Sequence, residues 1–271
     1  KQSNWGPSAR FPQTRMGVEQ AFYDAFHQAR AYQQELDRWN ATKPKDRDGK
    51  AAPRRDLRME ALAEILRGER DISCHSYVQS EIAMLMHVAD SMRFKVNTFT
   101  HILEGYKVAQ AMKKHGASGS TFSDWWAYKF EVNDAIPYNA ALMHRNGVNT
   151  GINSDDAEMS RRLNQEAAKA VKYGGVSAEE AWKMVTLNPA RMLGLDHRIG
   201  AIEPGKDADL VLWSADPLSI EARALTTWVD GARYYDEAKD REQRAWIATE
   251  RDRIIRAMMQ AKADGAPARK P

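Results

Sequence analysis

Three short runs of this chain each end on a side chain that can bind a divalent metal: Ser73-Cys74-His75, Phe99-Thr100-His101 and Ile152-Asn153-Ser154-Asp155. A hydrolytic metal centre needs neutral imidazoles and carboxylates around a cation, with one position left open for water. The cation lowers the pKa of that water towards neutrality. A carboxylate beside it can take up the proton and pass it to a leaving amine. His75, His101 and Asp155 supply these group types. Each also has a plainer reading. A histidine at a strand end is commonly a structural hydrogen-bonding partner, and Asp155, in the run Ser154-Asp155-Asp156, could cap a helix.

The elements that would position these residues follow from hydropathy periodicity. Short apolar runs at 72–75, 95–101, 117–122 and 148–153 read as strands. Helical spacing predicts helices over 79–92, 104–114, 135–145 (with Pro137 in its first turn) and 159–173. Alternation of this kind predicts an α/β fold with a parallel sheet. The interval from His75 to His101 fits one βα unit, and that from His101 to Asp155 fits two. Ligands at the C-terminal ends of successive parallel strands would line the rim of a (β/α) barrel. Four strands are half of the eight such a barrel needs, so the others must come from sequence or a partner chain outside these residues.

The third strand, over 117–122, is then expected to bring substrate contacts rather than ligands. Trp125, Trp126, Tyr128 and Lys129 follow it and could line the pocket mouth, with Lys129 attracting a carboxylate. Core packing is the competing role for both tryptophans. Tyr77, just beyond His75, could touch substrate. Glu104 reads as a helix-start residue rather than a catalytic one. Strand neighbours face opposite ways, so a His75 facing the barrel mouth turns Cys74 towards the helices.

Before the first strand lie a polar loop over 1–15, an amphipathic helix over 16–39, a charged excursion over 40–55, and a helix capped by Asp56 and stopped by Gly68. After residue 173, Ser177-Ala-Glu-Glu180 resembles a capping box opening a helix through 187, and a short helix follows to Gly194. A strand over 209–213 and a strand pair over 225–235, about Asp230-Gly231, come next. The tail over 237–263 is highly charged, but Trp246, Ile247, Ile254, Ile255, Met258 and Met259 recur in it at helical intervals. That face could serve dimerisation or dock on a preceding domain. The 40 basic and 37 acidic residues leave a formal charge of only +3, which argues against a dedicated nucleic-acid binder. No apolar run reaches the length of a membrane span. Cys74 is the only cysteine, so no intrachain disulfide forms.

The stretch from His75 to about Tyr235 resembles the amidohydrolase superfamily, in particular its imidazolonepropionase-like branch. The residues that carry the likeness are SCHSY, FTHILEGYKVA, INSDDAEM and VTLNPARMLGLDHRIGAIEPGKDADLVLW. The resemblance implies the second half of a (β/α)8 TIM-like metal-dependent hydrolase barrel over 1–196, a segment of a small β-sandwich over 197–236, and a charged helix and tail over 237–271. It makes His75 and Asp155 metal ligands, Asp155 also the proton shuttle, and His101 either a second-metal ligand or the residue that polarises the substrate carbonyl. The cofactor it implies is one or two divalent ions, zinc first, with iron or manganese suiting the same ligands. The implied reaction is hydrolysis of a C–N bond in an amide, cyclic amide or small peptide-like substrate. A metallo-dipeptidase of Xaa-Pro type and a catalytically silent barrel serving binding or assembly are the alternatives. The family's strand-one His-x-His pair has no counterpart here. The phrase GYKVAQAMKKHGASGSTFSDWWAYKFE is similar to the amidohydrolase part of long, β-propeller-linked proteins. The chain is therefore expected to be the C-terminal piece of a larger polypeptide, with export to the periplasm as a further implication.

Overall fold

Strand and helix alternate from residue 73 onward, as the apolar spacing requires. The computed structural model describes residues 10–125 and 128–265, and the chain divides into two compact units, Lys1–Asp196 and His197–Pro271.

In the first unit, α1 (Arg15–Ala41) and α2 (Leu57–Arg67) precede the sheet. Thr14 and Asp56 cap them, each accepting from backbone N–H groups of the first turn, and Gly68 ends α2 at φ 73°, the left-handed conformation a glycine adopts without strain. Then come β1 (Ser73–His75), α3 (Gln79–Met92), β2 (Thr98–Thr100), α4 (Gly105–His115), β3 (Ser118–Thr121), α5 (Asn139–Arg145), β4 (Thr150–Ile152), α6 (Ala157–Ser160), α7 (Leu163–Gly174), α8 (Ala178–Lys183) and α9 (Leu187–Met192). The four strands form one sheet in sequence order, all parallel. Helices pack on it through Ile82, Val88, Met112 and Met143, which are fully buried with Phe99 and Val96. Phe26 of α1 stacks on Phe94 at 4.2 Å between ring centres, which joins the leading helix to the same core. Gly119 of β3 leaves room for this packing, since a Cβ there would lie 2.8 Å from Ile102 Cδ1 and 3.0 Å from Met143 Sδ.

Residues of α8, α9 and the turn between them satisfy the far edge of β4. Ile152 N donates to Met184 O (2.9 Å), and Asn188 Nδ2 donates to Thr150 O (2.8 Å). The Thr-Leu-Asn-Pro-Ala run thus covers strand groups that would otherwise be unpaired. The (β/α) architecture and the four strands expected from the sequence are present, and they amount to half a barrel. Three helix boundaries differ. Pro137 lies before α5, not within it, because residues 136–139 form a turn closed by Asn139 N and Ile136 O (3.3 Å). The helix expected over 159–173 breaks into α6 and α7, since Arg162 sits at non-helical φ −139°, ψ 37°. The helix opened by Ser177 ends at Lys183, before the non-helical Thr186.

In the second unit, β5 (Leu210–Trp213), β6 (Ala224–Val229) and β7 (Ala232–Asp236) form an antiparallel sheet in that order. Asp230 and Gly231 join β6 to β7 at φ 51° and 75°, the two left-handed residues that a two-residue hairpin of matching twist demands. Asp236 accepts from Ala238 N and Lys239 N and so caps α10 (Glu237–Ala263), which carries Trp246, Ile254 and Met258 exposed. Among the described residues no helix is long and apolar enough to cross a membrane.

Asn139 links the helices to the C-terminal end of the sheet. Its buried side chain donates to Ile102 O (2.7 Å) and Thr121 Oγ1 (2.9 Å) and accepts from Tyr106 N (2.8 Å). Asn139→Ala takes a bond from each of the three, of which Thr121 Oγ1 keeps its bond to Phe122 O (3.1 Å), so chemical denaturation should show a loss of about 1–3 kcal/mol or more. A change within about 0.5 kcal/mol, the range of ordinary surface substitutions, would refute this role.

Candidate active site

The parallel register aligns His75 with Thr100, and Thr121 with Ile152. Hydrogen bonds carry the ladder beyond the strand ends: Ser76 N to Thr100 O (3.1 Å), Ile102 N to Ser120 O (3.1 Å) and Asn153 N to Thr121 O (3.0 Å). His75, His101 and Asp155 therefore emerge on one rim. The ring centres of His75 and His101 are 4.5 Å apart, and His101 Nε2 lies 4.0 Å from Asp155 Oδ2. His101 is buried, stacked on Phe122 at 5.2 Å. His101 and Asp155 leave their strands at φ 60° and 50°, a region costly for residues with a Cβ and frequent at functional sites.

The two adjacent aspartates divide their work. Asp156 is the cap of α6, accepting from Glu158 N and Met159 N at 2.9 Å each. Asp155, whose side chain is 58% exposed, faces His101. The three candidate ligands form two linked pairs rather than a closed triad, and among the described residues no three His, Cys, Asp or Glu side chains close around a metal position. Two imidazoles and a carboxylate nevertheless suit a borderline-soft ion such as zinc, and further donors are needed to complete the set.

The residues expected at the mouth gather beside this rim. Tyr77 lies 6.5 Å from His101, ring to ring, and Lys129 Nζ stands 3.8 Å above the Tyr77 ring. Trp125 stacks on Phe122 (4.7 Å) and meets Tyr128 edge-on (5.6 Å). Trp126 lies outside the described residues. Burial works against the Lys129 ammonium, but hydrogen bonds to Tyr77 and Glu131 outweigh it and raise its pKa. Burial also pushes the Tyr128 hydroxyl up, with the charge of Lys129 opposing. Cys74 packs against the helical core, away from the rim, and burial raises its thiol pKa, which keeps it a weak nucleophile.

Sequence reasoning missed several supporting residues. Asn153 Nδ2 lies 2.9 Å from His101 Nδ1, and Ser120 Oγ donates to Asn153 Oδ1 at 2.5 Å. The available signal was period two along the strand end, which puts Asn153 and Asp155 on one side. Glu104 does not cap its own helix. Its Oε2 accepts from Gln79 N (3.1 Å) and so caps α3, while pairing with Lys107 at 3.2 Å. Behind the third strand, buried Glu166 accepts from Ser123, and Lys169 bridges Glu166 (3.0 Å) and Asp124 (2.8 Å).

Residues 131–259 match the model described as the Amidohydrolase family. The chain is 28% identical over 238 residues to Amidohydrolase tasK of Hapsidospora irregularis, covering 83% of this chain and 24% of that protein. It is 39% identical over 85 residues to the imidazolonepropionase of Picrophilus torridus, covering 31% and 22%. The crystal structure of an amidohydrolase from Thermotoga maritima superposes with a TM-score of 0.74 at 27% identity, covering 84% of this chain and 58% of that one. The chain thus spans about a quarter of these curated relatives. The matched residues begin after β3, so they take in β4 and Asp155 but not His75 or His101.

The ion pairs behind the rim make a pH-dependent contribution. Burial lowers the pKa of Lys169, yet bonds to Asp124 and Glu166 override it and the net shift is upward. A lysine raised on folding stabilises fully below its unfolded pKa, about 10.4, and loses that contribution as pH rises through the folded value. Lys169→Met should cost about 1–3 kcal/mol at neutral pH, with the gap to wild type narrowing at alkaline pH in parallel urea titrations. A gap that is constant or widens with pH would contradict this.

Proposed function

We propose that the domain belongs to a metal-dependent hydrolase that cleaves a C–N bond in an amide, cyclic amide or small peptide-like substrate. The observation that carries this reading is the meeting of His75, His101 and Asp155 at the C-terminal rim of the parallel sheet, with Asp156 capping the helix in place of Asp155. His75 and Asp155 are the proposed metal ligands, and His101 serves as a further ligand or as the group polarising the carbonyl. Zinc is the favoured ion, one or two in number, with iron or manganese suited to the same donors. When bound, it would supply Lewis-acid activation of water and carbonyl.

This chain's residues supply the rest. Asp155, half exposed and facing the space before His101, accepts the proton of the attacking water at a carboxylate oxygen and returns it to the departing nitrogen. His101, held in place by its neighbours, stabilises negative charge developing on the carbonyl oxygen. Tyr77, Trp125, Trp126 and Lys129 are proposed to bind the substrate, with the aromatic rings excluding water from its flank. The remaining barrel strands come from the same polypeptide or a partner chain.

The test is divalent metal content and turnover of the full-length protein, wild type against Asp155→Ala, on cyclic amides, N-acyl amino acids and Xaa-Pro dipeptides. Wild type should hold metal and turn over one class, and the variant should lose about a thousandfold in kcat or more. Wild type that retains no metal after zinc or manganese is added, and cleaves none of the panel, would instead support a silent binding module.

A further inference from the structure

Glu104 is a buried carboxylate at the start of α4 that the proposed mechanism does not use. Its backbone N–H donates to Tyr77 O (3.2 Å), and its Oε2 accepts from Gln79 N (3.1 Å). One residue therefore grips the chain on both sides of Val78. Gln79 opens α3, and Val78, at the capping position, has no side-chain acceptor to offer. The acceptor comes instead from the next βα unit, as a carboxylate at the positive end of the α3 dipole. One residue before Tyr77, Ser76 N donates to Thr100 O (3.1 Å). Three backbone groups of 76–79 are thus held by residues in or just after β2.

The segment so held carries Tyr77. The Tyr77 ring is buried with Leu103, Phe122 and Val132 and lies 6.5 Å from the His101 ring. Lys129 Nζ stands 3.8 Å above it, and an ammonium is drawn to the face of an aromatic ring, so the ring's place sets that of the cation. The first turn of α4 also holds the chain beyond Lys129. Tyr106 Oη donates to Asp134 O (3.0 Å), and Lys107 pairs with both Glu104 (3.2 Å) and Asp134.

We infer that Glu104 is a positioning residue: it clamps 77–79 and so places Tyr77, and through Tyr77 the Lys129 ammonium, at the mouth of the site. Glu104 is only 4% exposed, so water does not readily take over its bond to Gln79. What Gln79 N requires is an acceptor, which a glutamine side chain also supplies. The bearing on substrate rests on the hydrolase reading; the clamp does not.

The test compares full-length wild type with Glu104→Ala, Glu104→Gln and Gln79→Pro. Hydrogen–deuterium exchange is read by mass spectrometry on peptides spanning 76–82, and kcat and KM on the panel substrate that is turned over. Glu104→Ala should speed exchange there by about tenfold or more, the scale of a lost bond to a charged acceptor, while Glu104→Gln stays within about threefold of wild type. KM should rise about tenfold in Glu104→Ala with kcat within about threefold, the pattern of lost substrate binding, and return towards wild type in Glu104→Gln. Gln79→Pro deletes the donor at a first-turn position that tolerates proline. It should repeat both changes, and it decides the matter if Glu104→Ala does not fold. A merely structural residue would lower kcat with the amount of active enzyme and leave KM alone, and that outcome overturns the inference. So does unchanged exchange in both Glu104→Ala and Gln79→Pro. The expected exchange pattern in a protein that cleaves nothing would uphold the clamp and sink the hydrolase reading.

Discussion

Parallel pairing in register is the constraint on which the rest of the site depends. Each strand is three or four residues long, far too short to be stable by itself. Hydrogen bonding to its neighbours, together with helices packed on one side, holds each in place. Because the four strands run the same way and start level, residues distant in sequence finish at one end. A one-residue slip of β2 against β1 would turn the His101 end of its strand to the other face. Phe99 opposes such a slip, being fully buried in the helical core on the face away from the rim. The bulk of the core and the placement of the imidazoles are thus one fact.

At the rim the backbone gives up ideal geometry. His101, directly after β2, and Asp155, three residues beyond β4, both adopt left-handed φ. Such residues cost of order 1–3 kcal/mol each and persist only where the surroundings fix them. Here the surroundings are specific: Asn153 on His101, the Asp156 cap that begins α6 directly after Asp155, and Asn139 tying Ile102 O to Thr121. The sharp exits turn the side chains inward over the sheet's end rather than along the strands. The charged cluster of Lys169, Glu166 and Asp124 anchors the loop bearing Trp125.

Much of this was legible from hydropathy spacing, since apolar period and capping chemistry are local. The four strands, the helix stopped at Gly68, the Asp230-Gly231 hairpin and the long tail helix follow from residues within a few positions of one another. What was not legible depends on contacts between elements. Glu104 opens one helix in sequence but caps another in space. The Arg161-Arg162 break has no proline or glycine to announce it. The partner of the Asn153 amide is set by register across three strands, which no local pattern encodes. Asn188 in the Thr-Leu-Asn-Pro-Ala run belongs with these, because its purpose, covering Thr150 O, exists only once β4 has an edge to cover.

Asp155 and Asp156 show how environment, not residue type, assigns a role. Both are carboxylates, adjacent in sequence, and either could cap the helix beyond them. The left-handed turn at Asp155 decides the matter. It swings Asp155 out of line with the helix axis and leaves Asp156 at an extended φ −146°, the conformation a cap requires. The first carboxylate is thereby excluded from the helix and turned to His101, while the second is consumed by two backbone N–H groups. The helix macrodipole then acts unequally on the pair: Asp156 is bonded directly to its positive end, and Asp155 stands one residue further out. A strained φ, a cap and a carboxylate turned to His101 are therefore a single structural arrangement, and relieving the strain by letting Asp155 cap the helix would remove the carboxylate from the rim.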